Sequence, residues 1–85
     1  MVDLLPEERE AQAANELANN ALRAWIDARN AVTATSADGR KATHAELQRS
    51  WDLEKQYREA NAKRMAAQAL ARAARHRLTS ERRTP

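Results

Sequence analysis

The chain has no cysteine and no phenylalanine, a single glycine, and only three aromatic residues, Trp25, Trp51 and Tyr57. Lack of cysteine excludes disulfides and thiolate metal sites. Scarcity of large aromatics leaves little to fill an interior. Alanine, the commonest residue, buries little area at about 25 cal/mol per Å². No apolar run approaches the roughly 20 residues of a membrane span. The opening residues Met1-Val2-Asp3-Leu4-Leu5-Pro6 lack the basic stretch and apolar run of a secretory leader. The expectation is a soluble protein made in the cytoplasm, with no membrane partner.

What is present is length for one small domain, spanning residues 1–85. A fold of this size is marginal without help, so a thin core completed by self-association or by a protein partner is expected. Arginine outnumbers lysine and alanine abounds. The expected reading is a GC-rich coding bias, as in an actinobacterium or one of its phages, in preference to a functional demand for arginine throughout.

Charge is split along the chain. Residues 1–54 hold ten acids and six bases, a net of −4, whereas residues 55–85 hold nine bases and two acids, a net of +7. A basic end of this kind suits an acidic partner.

Gly39 sits in the one stretch with turn chemistry, Thr33 to Ala42, where Asp38-Gly39 favours a tight turn. Thr43-His44-Ala45-Glu46 then fits a capping box. Pro6 suits a first helical position, and Glu7, Glu8 and Glu10 complement a helix N-terminus. Helix 1 is therefore expected at about 6–33, a loop at 34–42, helix 2 at about 43–78, and a basic tail at 79–85.

Two heptad seams support this assignment. One runs through Ala11, Ala14, Ala18, Ala21, Trp25, Ala28 and Val32. The other runs through Leu53, Tyr57, Ala60, Arg64, Ala67, Ala71, Ala74 and Leu78. The predicted fold is all-α: a two-helix antiparallel hairpin, an alanine-rich coiled coil with helix 2 the longer. One unbroken helix forming a long parallel dimer is the structural alternative. The hairpin register places Trp25 near Leu53 and Ala11 near Ala67, so helix 1 runs out near Arg72. Arg64, the one charged seam member, either pairs with Glu10 or Glu7 to set the register or faces a partner.

Several large apolar residues lie off the seams. Leu22, Ile26, Trp51 and Met65 are the expected protein-contact residues, because helices apolar over a wide arc are buried on more than one side. The candidate contact to nucleic acid or another acidic partner is Arg72, Arg75, Arg77, Arg82 and Arg83. The same arginines equally suit simple complementation of the helix dipole. No aromatic follows Tyr57, which disfavours base stacking.

No catalytic constellation is visible. His44 and His76 fall at opposite ends of the hairpin, and Ser36, Ser50 and Ser80 lack a base. No enzyme activity, cofactor, metal or small-molecule substrate is expected. The expected function is that of a structural or interaction protein. It would be a small component of an assembly such as a bacteriophage virion, in the capsid or head–tail region. The alternative is a sequence-nonspecific nucleic-acid-binding or regulatory accessory protein.

Val32-Thr33-Ala34-Thr35, Asp38-Gly39-Arg40-Lys41 and the helix from Thr43 are faintly similar to the small head–tail joining protein W of tailed phages. That family has two helices around a short β-hairpin. The likeness covers the middle third of the chain. It departs at Arg40-Lys41-Ala42, which lacks strand alternation, and in the long basic C-terminal helix, so no functional residue is carried over.

Overall fold

A computed structural model describes the backbone of residues 4–83 and the side chains of residues 4–81. The chain forms two helices, α1 (Pro6–Ala37) and α2 (His44–Arg83), packed antiparallel. At 1.5 Å per residue they are about 48 and 60 Å long. The molecule is a rod of 70 × 22 × 15 Å with a radius of gyration of 19.3 Å, against roughly 12 Å for a compact domain of this length. No strand occurs among the described residues.

Both ends of α1 and the start of α2 have identifiable causes. Pro6 opens α1, and Glu7 and Glu8 lie in its first turn. Leu5, the N-cap residue, has no side-chain acceptor. Its backbone N–H instead donates to Glu8 Oε1 at 3.0 Å, the reciprocal half of a capping box. At the other end the Arg40 N–H reaches the Thr35 carbonyl, and the Gly39 N–H reaches the Ser36 carbonyl, both at 3.1 Å. With Gly39 at φ 78°, this is a Schellman motif. Helix α2 starts at a true Thr cap: Thr43 Oγ1 accepts from the Glu46 N–H at 3.1 Å. The Thr43 hydroxyl also donates to Glu46 Oε1 at 3.1 Å.

Both helices run further than the expected limits of 33 and 78. Thr33, Thr35 and Thr79 lie at or beyond the expected ends of the helices, and here their hydroxyls bond back one turn. Thr33 donates to the Arg29 carbonyl, Thr35 to the Ala31 carbonyl and Thr79 to the Arg75 carbonyl, at 2.9 to 3.0 Å. That arrangement satisfies the hydroxyl without breaking the helix. The loop shortens to residues 38–43, and the expected tail becomes helical through Arg83.

The extra turn on α1 moves the fold-back point along the chain and shifts the register by one turn. Trp25 stacks on Tyr57, not Leu53, with ring centroids 5.7 Å apart and planes inclined by 19°. The Arg29 guanidinium lies 5.5 Å from the Trp25 ring centroid on this stack, a favourable cation–π distance. Thr35 Oγ1 to Glu46 Oε2, at 3.4 Å, ties the loop end at the same register.

Every residue of the two seams is buried or half-buried. Of these, Ala18, Ala71 and Ala74 are buried and the rest half-buried. Seven residues from Trp25 and Tyr57 respectively, Ala18 and Arg64 stand level. Arg64 makes neither of its expected pairs. Its Nη2 donates to Asn61 Oδ1 on its own helix, and its Nε is buried without a partner. Asn61 lies one turn away, whereas Glu7 and Glu10 stand several turns along α1 at the observed register.

Candidate functional site

Two regions of the surface concentrate the residues singled out from sequence: the open end of the hairpin and one long face.

At the open end, Glu8 of α1 meets Arg75 of α2. Arg75 Nε donates to Glu8 Oε2 at 3.2 Å, and Nη2 donates to Oε1. Glu8 thus caps α1 and pairs across the hairpin with the same carboxylate. The hydrogen bond from Arg75, then that from the Leu5 N–H, holds the Glu8 carboxyl below its ordinary range. The same bond raises the Arg75 guanidinium. Arg75, one of the arginines expected either to contact an acidic partner or to complement the helix dipole, thus bonds Glu8 of its own chain, a mate not named from the sequence. The signal was the acidic N-terminus of helix 1, which an antiparallel hairpin must lay beside the basic end of helix 2.

The segment free of α1 therefore starts near His76, one turn later than the expected Arg72. Arg72 and Arg77 are exposed. Arg72, Arg75, His76, Thr79 and Ser80 line one open groove beside Glu8. Arg77 lies on another side, beside Glu7 and Glu81. The five arginines expected to act together thus divide. Arg75 is committed within the chain, Arg72 and Arg77 face different grooves, and the side chains of Arg82 and Arg83 lie outside the described residues.

The long face follows from the Glu8–Arg75 pair. Steps of seven from Glu8 lead along α1 to Asn15, Leu22 and Arg29. Steps of seven back from Arg75 lead along α2 to Gln68, Asn61, Glu54 and Leu47. Both rows lie on the side of the hairpin where Glu8 meets Arg75. Ile26 is one turn beyond Leu22, Met65 one turn beyond Asn61, and Trp51 one turn beyond Leu47. Leu22, Ile26, Trp51 and Met65 therefore share one face of the rod. Leu22 is half-buried, while Ile26, Trp51 and Met65 are 38%, 54% and 59% exposed. The opposite face carries Leu17, at 65% exposure, and Leu70. There Ala14, Leu17 and Ala21 form a shallow groove with Gln56, Glu59, Ala60 and Lys63.

Among the described residues no cluster of three His, Asp or Glu side chains is placed to hold a metal ion. No described helix is long and apolar enough to cross a membrane. No protein-family model matches the chain, and no curated protein or solved structure matches it.

Proposed function

We propose that this chain is a non-enzymatic interaction protein, a small structural component of a larger assembly. A bacteriophage virion, in the capsid or head–tail region, is the proposed setting. The observation that carries the reading is the inverted distribution of apolar side chains. Among the described residues the three buried ones are alanines, while Leu17, Ile26, Trp51, Met65 and Leu70 face outward. Large exposed apolar groups gathered on a face mark an interaction surface. The composition and small size agree with the virion setting. The test is biochemical localisation. An antibody to the chain should detect it in purified particles. Recovery confined to the lowest-mass fractions of the producing cell overturns the reading.

Within that reading the basic end of α2 contacts an acidic partner. The competing role is sequence-nonspecific nucleic-acid binding, favoured by Arg72, His76 and Thr79 converging on one groove. Phosphate contacts release counterions, so log K against log salt has a slope of about −0.9 per contact on duplex DNA. Replacing Arg72 and Arg77 by Gln should lower that slope by about two without touching the Glu8–Arg75 pair. Absence of any salt-dependent binding to DNA or RNA at low ionic strength rules out the nucleic-acid role and leaves an acidic protein surface as the partner.

A further inference from the structure

The face carrying Leu22, Ile26, Trp51 and Met65 has an internal order. Trp51, Arg58 and Met65 recur every seven residues, so they form one strip along α2. Trp51 and Met65 lie about 10 Å on either side of Arg58. On α1 the midpoint of Leu22 and Ile26 is Ala24, next to Trp25. At the register set by Trp25 and Tyr57, that midpoint stands level with Arg58. Leu22, Ile26, Trp51 and Met65 therefore follow the same order whether the face is read from the loop or from the open end; half-buried Leu47, at the loop end, lies outside this set.

We propose that this face is the interface of an antiparallel homodimer and that its occupant is a second copy of the chain. This rests on the reading of the chain as an interaction protein and names its first partner. A two-fold axis across the rod at the level of Arg58 lays α2 on α2 and α1 on α1. Trp51 then packs on the partner's Met65, and Met65 on the partner's Trp51, a favourable sulfur–aromatic contact. Leu22 and Ile26 meet the partner's Ile26 and Leu22. The contact is isologous, so it closes on itself.

The parallel arrangement fails on the same geometry. It lays α1 of one copy over α2 of the other. Trp51 would then stand over the level of Arg29 and Thr33, and Met65 over the level of Asn15 and Asn19. Leu22, Ile26, Trp51 and Met65 all meet apolar groups only in the antiparallel arrangement. Arg58, on the axis, already carries its counter-charge. Its Nη2 donates to Glu54 Oε1 at 2.7 Å, so the two-fold brings two ion pairs together and not two bare cations.

The area agrees. The chain exposes 6851 Å², whereas a compact monomer of 9.6 kDa exposes about 5,100 Å². A standard interface removes about 800 Å² from each partner, which the excess accommodates. Centred on Arg58, the overlap ends near Arg72, so the basic ends of α2 project from opposite ends of the dimer.

Sedimentation equilibrium of the wild-type chain across the micromolar range should give a dimer. Ile26 and Trp51 are both exposed, so an Ile26→Lys, Trp51→Lys variant should keep the helical circular dichroism. Its dimerisation should be at least about 30-fold weaker, as expected for loss of central anchors. Orientation is read by cross-linking, since the chain has no native cysteine. Trp51→Cys and Met65→Cys copies should form a mixed disulfide when combined and little when alone. With Trp25→Phe, Trp51 becomes the sole tryptophan, and its emission should shift to the blue as concentration rises. A monomer at every concentration, an unmoving Trp51 emission, or self-cross-linking of each variant in preference to the mixture overturns the proposal. A monomer that still co-purifies with particles would refute the dimer alone and leave the assembly reading standing.

Discussion

Arg75 grips both oxygens of Glu8 across 67 positions of sequence, and the same carboxylate accepts the N–H of Leu5 at the start of α1. One side chain thus ends a helix and locks the open end of the hairpin. The charge split along the chain is in part an intramolecular device: folding lays acidic α1 against basic α2.

The Glu8–Arg75 pair makes stability depend on acid. Glu8 is held below its ordinary carboxyl range. A carboxyl depressed in the folded state contributes stability above the unfolded pKa, and that contribution is lost as pH falls through the folded value. Urea midpoints should therefore drop in the wild type from about pH 5 downward. Glu8→Gln should start lower and drop less over the same range. Parallel curves for the two proteins would remove Glu8 from the acid response.

The turn depends on a left-handed residue. Gly39 has φ 78° and nothing within 4 Å of where a Cβ would stand. Gly39→Ala therefore strains the backbone without a clash and should cost about 1 kcal/mol. Gly39→Asn should cost less, since Asn tolerates this region. Chemical denaturation checks both, and an unchanged Gly39→Ala midpoint would contradict the Schellman geometry.

Thr43→Ala removes the acceptor for the Glu46 N–H and should destabilise by about 1 kcal/mol. Thr43→Ser keeps the oxygen and should lose only a fraction of that. If both substitutions cost the same, the hydroxyl is not the capping group.

The register is tested by the aromatic stack. Trp25→Leu, Tyr57→Leu and the double variant form a cycle whose coupling should be about 0.5–1.5 kcal/mol. The same cycle between Trp25 and Leu53 should give a smaller coupling. Coupling to Leu53 in place of Tyr57 would restore the register one turn away.

Local chemistry makes much of the hairpin legible in the sequence alone. The two seams state which stripe of each helix turns inward, because the 3.6-residue period is a property of the backbone and the apolar spacing follows it. Asp38-Gly39 and the Thr43–Glu46 box mark the turn because positive φ and an orphan N–H are needs met by particular residues within a few positions. Trp51 and Met65 could be seen to share a helix face for the same reason. Tertiary structure decided the rest. Whether Thr33 and Thr35 end a helix or bond back into it is a close balance in one isolated turn, and that turn sets the register of every cross-helix pair. Only the register seats Trp25 on Tyr57, parts Arg64 from Glu7 and Glu10, and brings Arg75 to Glu8. Only the handedness of the hairpin puts Leu22 and Ile26 on the same side as Trp51 and Met65, because helix periodicity says which residues face inward but not which flank of one helix meets which flank of the other.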